Sequence, residues 1–169
     1  LTAVQDASGI LGYHYDARGN LVEQIRSVVV LGQDQYDRVG YAYDGANQLT
    51  RIDYPAGLRV SYTRNAAGQV SDIALQIGGN VPITLASQIS YLPFGPLNSL
   101  TWGNGISLNR QYDKNYRLRQ QQVGAWQSDY DHDANGNIIE LTHSLWGSLQ
   151  YDYDALDRLT LEQQTTEKK

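Results

Sequence analysis

Tyr13-His14-Tyr15-Asp16-Ala17-Arg18-Gly19-Asn20-Leu21 recurs along the chain as Tyr41-Ala42-Tyr43-Asp44-Gly45-Ala46-Asn47-Gln48-Leu49 and as Tyr62-Thr63-Arg64-Asn65-Ala66-Ala67-Gly68-Gln69-Val70. Looser copies follow: Tyr91-Leu92-Pro93-Phe94-Gly95-Pro96-Leu97 keeps the tyrosine, glycine and leucine, and Tyr112-Asp113-Lys114-Asn115-Tyr116-Arg117-Leu118 keeps the Tyr-Asp pair. Two clear copies end the series, Tyr130-Asp131-His132-Asp133-Ala134-Asn135-Gly136-Asn137-Ile138 and Tyr151-Asp152-Tyr153-Asp154-Ala155-Leu156-Asp157-Arg158-Leu159. With Tyr15 as anchor, the equivalents are Tyr43, Arg64, Tyr91, Tyr112, His132 and Tyr153, at intervals of 28, 21, 27, 21, 20 and 21 residues. A fixed period of this length marks a repeat architecture in which each unit is one supersecondary element. Seven units of about 21 residues are present, and Leu1 to Gly9 reads as the tail of an eighth.

Each unit has a physical reading. Tyr13 and Tyr15 are two apart and share one face of an extended strand, as do Tyr41 with Tyr43 and Tyr151 with Tyr153, which predicts an aromatic ladder across hairpins. Asp16 bonds backbone amides ahead of it, and Gly19 or Asn20 takes the positive φ that reverses the chain. A second reversal separates the units at Tyr54 to Gly57, Gly78 to Asn80 and Gly103 to Gly105, so one unit is two strands and two turns. The two long intervals, around Val28 to Gly40 and Gln76 to Leu85, are absorbed as longer hairpins. Leu49 with Ile52, Val70 with Ile73, Leu97 with Leu100 and Ile138 with Leu141 lie three apart. Such pairs fit either a bulge or strands apolar on both faces.

Composition agrees. Of the 169 residues thirteen are Tyr, three Trp and one Phe, with no Cys or Met. Tyrosine buries its ring while its hydroxyl seeks water or a partner, which suits thin sheets with wet faces. Fourteen Asp against four Glu favours turns over helices. The net charge of -5 and the lack of basic runs argue against nucleic acid as a partner. Without Cys there are no disulfides and no thiolate chemistry, and no apolar stretch approaches a membrane span. Absence of an initiator Met and of a leader-like segment leads us to read both ends as cuts in a longer array.

With YDARGNL, YDGANQL, DHDANGNI and YDALDRL in view, the chain resembles the YD-repeat (RHS-repeat) family, which includes bacterial RHS proteins, shell components of ABC toxin complexes, wall-associated polymorphic toxins and teneurins. The resemblance covers essentially the whole chain and implies an all-β fold: tandem antiparallel β-hairpin repeats forming a twisted, curved sheet, a segment of a hollow shell. In toxins such a shell encloses a polypeptide cargo, and in teneurins it serves adhesion. The repeat-defining residues are Tyr15, Asp16, Gly19, Tyr43, Asp44, Tyr62, Gly68, Tyr91, Gly95, Tyr112, Asp113, Tyr130, Asp133, Gly136, Tyr153 and Asp154. No counterpart is found of the family's core segment that closes the shell and cuts off its cargo, so that chemistry is carried over to no residue, and seven hairpins do not make a whole cocoon. The array is expected over residues 1–161, with a polar, disordered tail over 162–169.

Other constellations are weaker. Asp131 to Ile138 matches the first eight positions of a calcium loop, but the twelfth is Thr142 in place of the bidentate Glu, so neither metal nor other cofactor is expected. His14, His132 and His143 sit in no nucleophile elbow, and no catalytic residue is assigned: the chain is expected not to be an enzyme. Trp102, Trp126 and Trp146 are read first as caps on hairpin packing and second as stacking platforms for surface glycans. A secreted or cell-surface bacterial structural segment is the favoured reading, and a glycan-binding or adhesion module the alternative. A β-propeller, at two units per blade, would have only three and a half blades. Expected partners are neighbouring repeats, an enclosed toxin polypeptide, and a second copy through a free edge at Leu1 to Val4, which Pro at Ala3 should block.

Overall fold

The computed structural model describes residues 2–7, 9–30, 32–93 and 95–165. They form fifteen antiparallel strands whose order in the sheet follows chain order, β1 to β15. The helical content among the described residues is one 3-10 turn, Pro55–Gly57. Consecutive hydrogen bonding through all fifteen strands excludes the propeller, which needs breaks between four-stranded blades.

Two compact units divide the chain, Leu1–Ser87 and Gln88–Lys169. The first holds β1 (Ala3–Asp6), β2 (Gly9–Tyr15), β3 (Leu21–Val30), β4 (Gln33–Tyr43), β5 (Leu49–Asp53), β6 (Leu58–Arg64), β7 (Val70–Ile77) and the start of β8 (Ile83–Tyr91). β3 and β4, of 10 and 11 residues, absorb the first long interval as one extended hairpin. The second unit begins within β8 and continues through β9 (Leu97–Trp102), β10 (Ser107–Tyr112), β11 (Leu118–Val123), β12 (Trp126–His132), β13 (Ile138–His143), β14 (Gly147–Tyr153) and β15 (Leu159–Thr165). The expected boundary at residue 161 falls inside β15, where Glu162, Gln163, Gln164 and Thr165 pair with Tyr151, Gln150, Leu149 and Ser148. The rest of the expected tail, 166–169, lies outside the described residues, as does Leu1.

Three of the four three-residue spacings, Leu49 with Ile52, Val70 with Ile73 and Ile138 with Leu141, span bulges. Ala42 pairs with Arg51 but Tyr43 pairs with Leu49, leaving Thr50 as the extra residue on β5. Ser71 and Ile139 are extra in the same way on β7 and β13. A residue directly opposite another shares its face, so the bulge returns Leu49 and Ile52 to the face of Tyr43 and Tyr41. The tyrosine ladder is thus not aromatic-to-aromatic: the direct partners are Gln24 for Tyr13, Leu21 for Tyr15, Ile52 for Tyr41 and Leu49 for Tyr43. Aliphatic side chains on the return strand lie opposite Tyr15, Tyr41 and Tyr43, and a glutamine amide lies opposite Tyr13.

Burial is thin in both units. Among the described residues, the apolar side chains that are buried are Ala86 in the first unit and Ile89, Leu100 and Leu108 in the second. Tyr13, Tyr41, Tyr43 and Tyr62 are half-buried in the first unit, and Tyr112, Tyr130, Tyr151 and Tyr153 in the second. The thirteen tyrosines suit this setting, since each can cover apolar neighbours with its ring and keep its hydroxyl on a hydrogen-bonding partner.

Candidate functional site

The repeat motif builds one turn over and over. In the first copy Asp16 N–H donates to Asn20 O (2.9 Å) and Gly19 N–H to Asp16 O (3.1 Å). Asp16 Oδ1 accepts from the backbone N–H of Arg18 and of Asn20, and Oδ2 from the Asn20 amide, each at 2.9 Å. Asp44, Asp113, Asp133 and Asp154 repeat the closure, and Asn65 performs it with its amide oxygen. A short side chain with an oxygen at this position is therefore what the turn uses, and Asp supplies two such oxygens. The fourth residue of each turn takes positive φ: Gly19, Gly68 and Gly136 do so, and so do Asn47, Tyr116 and Asp157.

Gly95 departs from this rule. It is absent from the positive-φ positions, and its role is space: a Cβ there would lie 2.6 Å from the Tyr116 ring of the following turn. Tyr116 then crosses to donate its hydroxyl to Pro93 O (3.0 Å). The other two non-glycine residues that take positive φ at this turn position, Asn47 and Asp157, also reach to the preceding turn. Asn47 Oδ1 accepts from Asn20 Nδ2 (3.0 Å), and Asp157 Oδ1 accepts from Asn135 and Asn137 (2.9 and 2.8 Å). Backbone strain at these three positions is thus offset by a bond between neighbouring turns.

The anchor residue has a task that the sequence does not display. Tyr43 OH donates to Leu21 O (2.9 Å), Tyr112 OH to Leu97 O (2.7 Å) and Tyr153 OH to Ile138 O (2.9 Å). In every case the acceptor is the residue just after the previous unit's turn, and Leu21 and Ile138 lie beside a bulge. Arg64, at the anchor position of its unit, makes the same bond, Nη2 to Leu49 O at 2.9 Å, and adds Nη1 to Gly68 O, although its Nε is buried without a partner. The motif therefore couples units as well as closing turns: aspartate shapes the turn and the anchor ties it to its predecessor. Tyr112→Phe keeps the ring and removes only the tie, leaving a half-buried carbonyl short of a donor, so a loss of about 1 kcal/mol is expected in urea denaturation. A loss below about 0.3 kcal/mol would assign the coupling to packing alone.

Hydrogen bonds set the charge state of the turn aspartates. The Asn20 side chain holds Asp16 below the usual carboxylate range, the Arg117 backbone N–H does so for Asp113, and the Asn137 and Arg158 side chains do so for Asp133 and Asp154. A depressed folded-state pKa stabilises the fold fully above the unfolded-chain value of 3.8, and that stabilisation is lost as pH falls through the lower folded values. The melting temperature is accordingly expected to hold from neutral pH down to about pH 4 and to drop below it. A flat profile to about pH 2 would contradict this account.

The remaining candidate residues are dispersed. His14 bonds Glu23 (2.8 Å), His132 sits at the bulge opposite Ile138, and His143 stacks on Trp146 with ring centroids 4.2 Å apart and planes 6° apart. All three tryptophans are exposed, Trp102 at 43%, Trp126 at 54% and Trp146 at 44%, and Trp146 differs in carrying the His143 ring on its face. Asp133 turns its carboxylate inward, onto Gly136 N–H and Asn137 N–H and the Asn137 amide.

These elements define a tandem β-hairpin array in which the motif builds the turns and, at Tyr43, Arg64, Tyr112 and Tyr153, ties its unit to the one before. No protein-family model matches the chain, and no curated protein sequence does. Solved structures do: a crystal structure of TcdB2-TccC3 without its hypervariable C-terminal region shares the fold at a TM-score of 0.85 and 15% identity. The Photorhabdus luminescens Tc holotoxin pore gives 0.83 and 16%. In both, 94% of this chain is covered but only 9% of the other, so the chain spans about a tenth of the proteins it is similar to. The chain resembles the YD-repeat family in fold as well as in motif.

Proposed function

We propose that this chain is a non-catalytic segment of an RHS-type shell, exported from a bacterium, in which successive hairpins enclose or present another polypeptide. The observation that carries this reading is the fold shared with the Tc toxin chains over 94% of the residues. Two further features support it. The motif spends its polar groups on turn closure and inter-unit ties, and Ile52, Val60, Leu75 and Ile83 form a continuous apolar row across β5 to β8. A half-exposed apolar row of this kind is stabilised when turned toward another polypeptide and away from bulk water.

The test places a photo-crosslinking residue at Val60, on that row, or at Ser61, on the opposite face, in the full-length protein that carries this segment. Crosslinks to a second polypeptide segment from position 60 and none from position 61 are expected. A folded protein that crosslinks from neither position overturns the enclosing role. Saturable binding of wall glycans by the same protein, lost on replacing Trp102 and Trp126, would favour the glycan reading instead.

A further inference from the structure

Asn104-Gly105 and Asn135-Gly136 occupy the same two positions of the same kind of turn. In one, Trp102 N–H donates to Ile106 O and Gly105 N–H to Trp102 O, both at 2.8 Å; in the other, Asp133 N–H donates to Asn137 O at 3.0 Å and Gly136 N–H to Asp133 O at 3.2 Å. Both glycines have positive φ, +82° and +100°, and both asparagines are exposed. Asn-Gly is the dipeptide in which the following backbone nitrogen most freely reaches the side-chain amide, because glycine places no Cβ in its path. With the backbone matched, any difference in reactivity comes from the side chains around each pair.

Those surroundings are opposite. Asn104 folds its Oδ1 onto Ile106 N–H at 3.1 Å. That donor draws electron density from the amide carbon and is already placed for the oxyanion that forms on attack. Residues 101–107 carry no charge, so no local anion opposes loss of the Gly105 amide proton. In the other turn Gly136 N–H also donates to the Asp133 carboxylate at 2.8 Å, and an adjacent anion disfavours removing that proton. Asn135 is held away as well, its amide donated to Asp157 Oδ1 at 2.9 Å.

We propose that Asn104 is a site of spontaneous deamidation and that the Asp133 turn protects Asn135 from the same reaction. Hydroxide takes the Gly105 amide proton, and the nitrogen forms a bond to Asn104 Cγ. The bond from Cγ to the side-chain nitrogen breaks and ammonia leaves with a proton from water, giving a succinimide. Water then opens the ring at either carbonyl, yielding aspartate or isoaspartate. Either product puts a carboxylate between Trp102 (43% exposed) and Ile106 (42% exposed), on a turn that carried no charge. Isoaspartate also lengthens the backbone by one methylene inside the Trp102 to Ile106 closure.

The experiment incubates the intact chain in mildly alkaline buffer and follows both peptides by mass spectrometry, with isoaspartate scored separately. Asn104 is expected to convert about tenfold faster than Asn135 or more. In strong denaturant, where both turns are lost, the two rates should converge. Trp102→Asp, which installs the protective carboxylate, should slow Asn104 toward the rate of Asn135, with circular dichroism confirming the fold. Equal rates in the native chain overturn the proposal. A ratio that survives denaturation overturns it too, since sequence and not structure would then be the cause. If Trp102→Asp disturbs the fold, Asp133→Ala makes the converse test: Asn135 should accelerate, and an unchanged rate refutes the protection.

Discussion

Replacing Leu108 by Ala should cost about 3 kcal/mol of stability, close to the largest loss available to a single truncation in this chain. Leu108 is 6% exposed, stands on β10 directly opposite Leu100 (7% exposed) on β9 and directly opposite Val123 on β11. Two forces act at this point. The side chain's transfer from water is worth about 2 kcal/mol, and a cavity between two neighbours that are themselves packed adds to it, because strands joined by ladder hydrogen bonds cannot close in on the gap. The control is Leu161→Ala on β15. Leu161 is 46% exposed, and its truncation should cost less than about 1 kcal/mol. Urea denaturation of the two variants checks the contrast. Equal losses would mean that the few buried side chains do not anchor the second unit, and that its stability lies in turns and ties alone.

The fold was legible because the turn chemistry repeats. A single Asp-Ala-Asn-Gly-Asn stretch is a turn of no fixed context, but the same oxygen and the same positive-φ residue at about 21-residue spacing leave room for two strands and little else. The bulges were visible only as an ambiguity. Leu49 and Ile52 are three apart both in a bulged strand and in one that is apolar on both faces, and the choice depends on which carbonyl receives the turn's closing bond. The ties between units were not legible at all on the acceptor side. Leu21 O, Leu49 O, Leu97 O and Ile138 O are backbone groups that any residue supplies. A signal existed on the donor side. Arg64 stands where Tyr43, Tyr112 and Tyr153 stand, and what arginine shares with tyrosine is a long side chain ending in a donor, not an aromatic ring. Asp16 and Asp133 each accept bonds on both carboxylate oxygens, so the aspartates share the work of closure with the glycines.

Gly136→Val is the substitution at which backbone geometry alone should decide the result. Six of the Asp- or Asn-led motif turns place a residue with positive φ at this position, and they fall into two groups. Asn47, Tyr116 and Asp157 lie at 58° to 61°, inside the left-handed well that a residue with a Cβ can enter, whereas Gly19, Gly68 and Gly136 lie at 87°, 78° and 100°. Gly136 is the furthest from that well, so a β-branched residue must either adopt a conformation that only glycine occupies readily or pull the turn toward 60°. Pulling the turn moves Gly136 N–H, which serves both Asp133 O (3.2 Å) and Asp133 Oδ1 (2.8 Å). Space is not the obstacle, because the nearest atom to an added Cβ is Arg117 Cδ at 3.8 Å. A loss of about 2 to 3 kcal/mol is expected for Val. Gly136→Asn should cost about 1 kcal/mol, since asparagine enters the left-handed region more easily and Asn47 already does so in the same turn position. Chemical denaturation of the pair separates the causes: a large Val loss with a small Asn loss locates the cost in φ. Equal losses would locate it in the Arg117 contact, and small losses in both would show that the turn relaxes to 60° without disturbing the Asp133 bonds.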